Sequence, residues 1–377
     1  MGLYTMDPLE IAGGWVNGYD PVPLPPGPHE SPRRVLDRLL LAHLQRSPCL
    51  VAFSGGRDSS VLLAAAVTLA RREGLALPVP ITLSYPDAPD AEESRWQEAV
   101  LTHLGITDRI VLTVHDEHDP LGPVATPVLR RHGLVWPPNF TPTIRLMTMA
   151  RGGVLLTGEG GDEAFGLKRI TPLTKLLKSK GRVSPGVYAD VLGTLTPKFL
   201  RRMTSMRGRY RRPWLRPETE VELARRDAKD AAAFVLHAGR NTWQFATRRC
   251  ARIGYETVRL LGNEMDVTYV QAFAEPSLVA AVAAEGGYFG WTGRTATMRD
   301  LFGELLPREV LERRTKALFA NAVFTRYTRE FARTWNGSGV DTDLVDADAL
   351  RETWLSKDPH APSMSLLQQA WLARWTR

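Results

Sequence analysis

The chain has 377 residues, 44% of them hydrophobic and 24% charged, with a formal net charge of +7. That length suits one large core or two closely joined ones, and no apolar run approaches the roughly 18–20 residues that span a bilayer. The opening MGLYTMDPLEIAGGW lacks the basic-then-apolar order of a signal peptide, and Met6 stands where a myristoylation site needs Ser or Thr, so a cytoplasmic location is expected. Only Cys49 and Cys250 are present, without a C-x-x-C pair or a zinc-ligand set, and a free Cys in an apolar strand packs as a small hydrophobe.

Residues 1–30 are rich in Gly and Pro and read as an extended, polyproline-like lead-in. Ser31 then caps a helix with Pro32 at its first position. The run LVAFSGG reads as a buried strand ending in glycines, followed by the helix SSVLLAAAVTLARRE. VPITLSY, a helix around AEESRWQEAVLTHLG and the strand RIVLTV come next. Two helical stretches separated by Trp136-Pro137-Pro138 lead to a fourth strand, GGVLLTG. Strands alternating with helices predict an α/β fold with a parallel sheet over residues 31–166. Beyond Gly166 the pattern turns Arg- and Ala-rich with helical periodicity, which predicts a mostly helical region over 167–377.

That second region opens with a charge anomaly. Between Lys168 and Arg216 the only acid is Asp190, against 14 Lys and Arg, so the segment carries +13 and the rest of the chain −6. Two readings stay open: a surface for phosphates, nucleic acid or an acidic peptide, or a solvated arm with no dedicated ligand. The run His115-Asp116-Glu117-His118-Asp119 follows a strand and offers metal-ligating side chains, yet such residues are equally ordinary in solvated loops. Glu92 and Glu93 fit the start of a helix, where acids suit the dipole.

Ser54-Gly55-Gly56-Arg57-Asp58-Ser59-Ser60 lies directly between a strand and a helix. Glycines let the backbone approach an anion, the helix start adds its positive dipole end, and the Ser54, Ser59 and Ser60 hydroxyls can donate to phosphate. Asp58 supplies an oxygen ligand for Mg²⁺. Neither a Walker loop nor a G-x-G-x-x-G dinucleotide motif is present. This stretch resembles the SGGxDS pyrophosphate (PP) loop of the ATP pyrophosphatase superfamily, whose members cleave ATP between the α and β phosphates. A second glycine-rich loop with carboxylates, Thr157-Gly158-Glu159-Gly160-Gly161-Asp162-Glu163-Ala164-Phe165-Gly166, follows another strand and belongs on the same rim. It resembles the SGEGxDExFGG signature of asparagine synthetases, with Thr157 for Ser.

The joint resemblance implies a PP-loop ATP pyrophosphatase core using ATP and Mg²⁺, with Asp58 and Asp162 as metal ligands and Thr157 and Gly158 beside the adenosine. Leu83 and Ser84 would meet the adenine ring. Glu159 stands where asparagine synthetases have Glu and β-lactam synthetases have Tyr; it would orient or deprotonate the incoming amine, the alternative being a surface carboxylate. Arg314-Thr315-Lys316 resembles the family's late R-x-K segment, in which Lys316 would neutralise the α-phosphate and the tetrahedral intermediate.

Three departures narrow the substrate. Gly2 replaces the nucleophilic Cys of glutamine-using members and only 53 residues precede the PP-loop, so no glutaminase domain is expected. Gln271-Ala272-Phe273-Ala274-Glu275-Pro276 echoes the family's ARVPFLD segment without its Arg, which weakens aspartate as the acid. The second motif runs into the basic block instead of ending Gly-Gly-Tyr. The expected activity is adenylation of a small-molecule or peptide carboxylate followed by amine attack, as in the β-lactam and lasso-peptide macrolactam relatives. An acidic peptide, a carrier or a partner enzyme is expected at 168–216. Ammonia- or partner-dependent asparagine synthesis and a tRNA-modifying enzyme are the alternatives; the GEGGDE loop and the lack of RNA-binding modules argue against nucleic acid.

Overall fold

A computed structural model describes residues 3–27, 29–207, 212–313 and 323–375. Helix α1 (Pro8–Gly13) precedes α2 (Pro32–Leu44), β1 (Cys49–Ala52) and α3 (Arg57–Arg72). Then come β2 (Val79–Ser84), α4 (Ser94–Leu104), β3 (Ile110–Thr113), α5 (Ala125–His132), α6 (Thr141–Met147) and β4 (Val154–Thr157). The helices α7 (Gly161–Phe165), α8 (Thr171–Lys178), α9 (Pro185–Leu195), α10 (Lys198–Arg207), α11 (Pro217–Ala233), α12 (Ala238–Ala246) and α13 (Arg249–Glu264) follow. After β5 (Thr268–Gln271) come α14 (Pro276–Gly286), α15 (Arg294–Phe302), α16 (Arg308–Glu312) and α17 (Arg326–Thr334).

The strands form one parallel sheet in the order β3-β2-β1-β4-β5. Their side chains alternate between two cores, as the strand period of two requires. Val51, Phe53, Val154, Leu156 and Val270 pack with α2, α3 and α14 on one face. Leu50, Ile81, Leu155 and Tyr269 pack with α5, α6 and α13 on the other. The protein is therefore α/β, with helices on both faces of a parallel sheet and a mostly helical region after Gly166.

Two elements depart from the pattern read in the sequence. The fifth strand, β5, lies inside the region read as helical and pairs Thr157 with Gln271. The expected extended lead-in contains α1, which closes a capping box: the Asp7 side chain accepts from the Glu10 amide at 2.8 Å and the Glu10 side chain accepts from the Asp7 amide at 3.0 Å. Trp214 donates its indole N–H to the Ala12 carbonyl at 2.9 Å, which fastens this helix to the body.

Two arginines of the basic segment are bound to the protein's own backbone. Arg169 donates to the carbonyls of Thr194, Thr196 and Phe234, and Arg201 to those of Ala232 and Phe234. These are the unsatisfied carbonyls at the C-terminal ends of α9 and α11, where a guanidinium is favoured.

His118 and Asp119, open in the sequence to a metal-ligating or a solvated-loop reading, are buried. Asp119 accepts from the amides and hydroxyls of both Thr325 and Thr328, holding the start of α17. His118 meets the Tyr85 hydroxyl at 3.1 Å, and burial pushes its pKa down to about 4. The folded value lies below the unfolded one, so between about pH 4 and 6.5 the unfolded chain binds the extra proton. Stability from this residue is complete above that window and falls as pH drops through it, by on the order of 3 kcal/mol. Urea unfolding between pH 4.5 and 7 is expected to show a steep acid limb that His118→Gln flattens.

Candidate active site

Both glycine loops leave the C-terminal ends of adjacent central strands, β1 and β4, where open α/β sheets gather ligands. The first loop is wound by its own serines. The Gly56 amide donates to Ser54 Oγ at 3.3 Å, the Ser54 amide to Ser59 Oγ at 3.2 Å, and Ser59 Oγ to the Gly56 carbonyl at 3.1 Å. Ser54 is exposed, Ser59 is buried in these contacts, and the fully buried Ser60 hydroxyl has no partner. The first-turn amides of α3 lack intrahelical acceptors, as at any helix start, which gives the 16-residue helix an anion-accepting end.

The second loop presses onto the first. A Cβ on Gly161 would sit 2.4 Å from Asp58 Oδ2, and one on Gly158 would sit 3.0 Å from the Ser59 amide nitrogen, so glycine is needed for this approach. Thr157 is buried at the end of β4, its hydroxyl 3.4 Å from the Val270 carbonyl. Leu83 and Ser84 end β2, next to β1 on the same rim.

Asp58 and Asp162 both form ion pairs with the Arg294 guanidinium. Asp58 Oδ1 remains buried without a hydrogen-bond partner. Two carboxylates converging on one cation, with an orphaned oxygen, fit a hard divalent ion such as Mg²⁺, which is held by one or two carboxylates together with phosphates. Among the described residues no group of three or more His, Cys, Asp or Glu side chains could hold a metal.

Glu159 accepts from Gln271 Nε2 at 2.7 Å. The residue keeps contact with solvent, yet protein crowds its carboxyl enough that desolvation raises its pKa, against the lowering effect of Gln271. Buried Tyr269 lies against it, its phenol held neutral by burial and by the Glu159 charge. The Gln271–Ala274 segment thus lines the second loop, where a Cβ on Gly160 would meet the Ala274 amide nitrogen at 2.5 Å.

Lys316 lies outside the described residues, as do Arg314 and Thr315. The residue before them is anchored. Buried Arg313 donates to the Gly55 carbonyl at 2.7 Å and forms a two-pronged pair with Glu93, one contact being 2.7 Å. Its guanidinium also lies 4.9 Å from the Trp96 ring centroid. Glu93 therefore does more than open a helix.

Lys168 was read only as part of the basic block. Its ammonium donates to the Glu163 carbonyl at 2.6 Å and lies 5.2 Å from the Phe245 ring centroid. Burial lowers its pKa to about 7, with Glu163 opposing and Arg248 adding to the shift. Glu163 itself is paired with Arg248 at 2.9 Å. The thiols are inert by the same logic: burial raises Cys49 to about 11 and raises Cys250.

The profile of the family described as asparagine synthase matches residues 33–273, more than half of the sequence. The chain belongs to the asparagine synthase family. That family's activity is ATP-dependent amide-bond formation. The match takes in both glycine loops and β5 and ends before Arg294 and Arg313. No curated protein matches the chain. No helix among the described residues is long and apolar enough to cross a membrane.

The Arg313–Glu93 pair offers a direct test of the packing around the first loop. Arg313→Met leaves a buried carboxylate uncompensated and is expected to cost about 3–5 kcal/mol in urea unfolding. Glu93→Leu combined with Arg313→Met is expected to recover about half of that loss.

Proposed function

We propose that this protein activates a carboxylate as its adenylate with Mg-ATP and joins it to an amine, releasing AMP and pyrophosphate. The observation that carries this reading is the convergence of Asp58 and Asp162 on one cationic position, with Glu159 held beside it by Gln271. The first loop and the start of α3 would cradle the phosphates through Ser54, Gly55, Gly56, Ser59 and Ser60, while Leu83, Ser84, Thr157 and Gly158 border the adenosine. Asp58 and Asp162 would hold Mg²⁺. When bound, the metal neutralises charge on the departing pyrophosphate.

Glu159, its carboxyl pKa raised by crowding, would orient the amine and take its proton. Lys316 would stabilise the α-phosphate and the tetrahedral intermediate. The Arg313 anchor brings the chain to within three residues of that lysine.

The carboxylate is proposed to belong to a polypeptide with acidic and apolar residues. Tyr188, Leu192 and Leu195 form an exposed stripe at helical spacing on α9, and Phe199 and Met203 are exposed on α10. Leu192 is 71% exposed and Phe199 66%. The side chains of Lys175, Lys180, Arg182, Lys198 and Arg202 in the same segment make no ion pair or hydrogen bond among the described residues. An apolar stripe flanked by unpaired cations suits an acidic partner and disfavours a second copy, which would set like charge against like. Leu167, also exposed, stands 3.7 Å from where a Cβ on Gly293, the neighbour of Arg294, would lie.

Pyrophosphate release from Mg-ATP should depend on a carboxylate in a panel of acidic peptides, aspartate and tRNA, with AMP as the nucleotide product. Asp58→Ala and Asp162→Ala are each expected to lower the rate at least 100-fold. ADP as the product would refute the reading, and a response to aspartate alone would favour asparagine synthesis. Leu192→Asp is expected to raise the KM for an acidic peptide at least tenfold while leaving Mg-ATP binding unchanged. An unaltered KM would remove the docking surface from the account.

A further inference from the structure

Arg294 opens α15, beyond the family match, and is the one cation that contacts both site carboxylates among the described residues. Two carboxylates this close repel each other unless a cation lies between them. A guanidinium and a metal ion compete for the same oxygens, so the arginine must leave at least part of this arrangement when Mg²⁺ binds there.

Two orphaned polar atoms indicate what would replace it. Asp58 Oδ1 is a buried acceptor with no partner, and Arg294 Nε is a buried donor with no partner, in the same cluster. A ligand that satisfies both presents an electropositive centre to the carboxylate and an acceptor oxygen to the guanidinium. Magnesium-bound polyphosphate has that composition, and arginine is matched to phosphate oxygens by its planar fork.

Two local features fit such a change. Gly293, immediately before Arg294, has φ +152° and ψ 176°, a conformation that leaves the start of α15 on a glycine pivot. Arg57, at the variable position of the first loop, donates to Thr295 Oγ1 at 3.2 Å and lies close enough to Arg294 for the two charges to oppose each other. Two guanidinium groups thus line one wall of the phosphate loop.

We propose that Arg294 exchanges partners on nucleotide binding, leaving Asp58 and Asp162 to Mg²⁺ and taking the pyrophosphate oxygens of ATP. The arginine is a placeholder cation in the empty site and a contact to the leaving group in the filled one. This inference rests on the adenylating reading above.

The test titrates Mg²⁺ into a fluorescent ATP analogue with the full chain, then displaces the analogue with inorganic pyrophosphate. In Arg294→Gln the half-saturating Mg²⁺ concentration is expected to fall at least fivefold, because the competitor is gone. Pyrophosphate is expected to compete at least tenfold more weakly, because its partner is gone. Arg294→Lys, which keeps the charge without the fork, should lie between wild type and Arg294→Gln on both readouts and provides the comparison if the Gln variant fails to fold. Either readout at the wild-type value in the folded variant overturns the exchange, as does a rise in the Mg²⁺ requirement. Wild-type protein that binds no Mg-ATP overturns the adenylating reading as well, whereas wild-type binding matched by Arg294→Gln overturns this inference alone.

Discussion

Gly161 lies against the Asp58 carboxylate with no room for a side chain, and this contact sets the dimensions of the whole site. It is possible only because β1 and β4 are neighbours at the middle of a parallel sheet, so the loops that leave them emerge on the same rim. Each loop then starts a helix whose first turn carries one aspartate. Once the loops touch, both carboxylates reach a single cation, and Glu159 falls beside the end of β5, where Gln271 holds it. An added methyl group at position 161 would separate these groups together.

The same rim is braced from two directions. Glu93 stands before α4, Arg313 directly after α16, and their buried pair reaches the Gly55 carbonyl. Such a pair contributes little net stability compared with apolar packing, but it tolerates few alternative geometries. It ties a late segment of the chain to the first glycine loop. The Arg57–Thr295 contact does the same for α15.

Features that depend on a few consecutive residues were legible. Three of the four strands in residues 31–166 are short apolar runs followed by turn residues and a periodic helix, and the fourth is an apolar run ending in a glycine loop, so the parallel sheet could be inferred without the structure. Both loops were readable because their chemistry is contained in about ten residues each. β5 was not, since Thr268-Tyr269-Val270-Gln271 is four residues long and mixes polar with apolar side chains. The α1 cap was written in Asp7-Pro8-Leu9-Glu10, but the surrounding Gly and Pro masked it. Arg294 and Arg313 are two of 48 Lys and Arg residues; nothing near Arg294 distinguishes it from a surface cation, and Arg313 lies just outside the Arg314-Thr315-Lys316 motif. Their roles come from partners more than 130 residues away. Within the basic block, Arg169 and Arg201 are answered by helix-end carbonyls that no sequence pattern displays.

The sheet order also has a consequence for biosynthesis. β4 is buried along its whole length, and its second neighbour, β5, is made only after the helices α7 to α13 have been synthesised. At about 5–20 residues per second, the ribosome needs on the order of ten seconds to bridge that interval. During it, Val154-Leu155-Leu156-Thr157 presents an apolar strand with an open hydrogen-bonding edge, the kind of template that recruits other chains. The nascent protein is thus most prone to misassociation between the emergence of its second glycine loop and that of Gln271, and a chaperone acting on it would have its clearest purpose in that window.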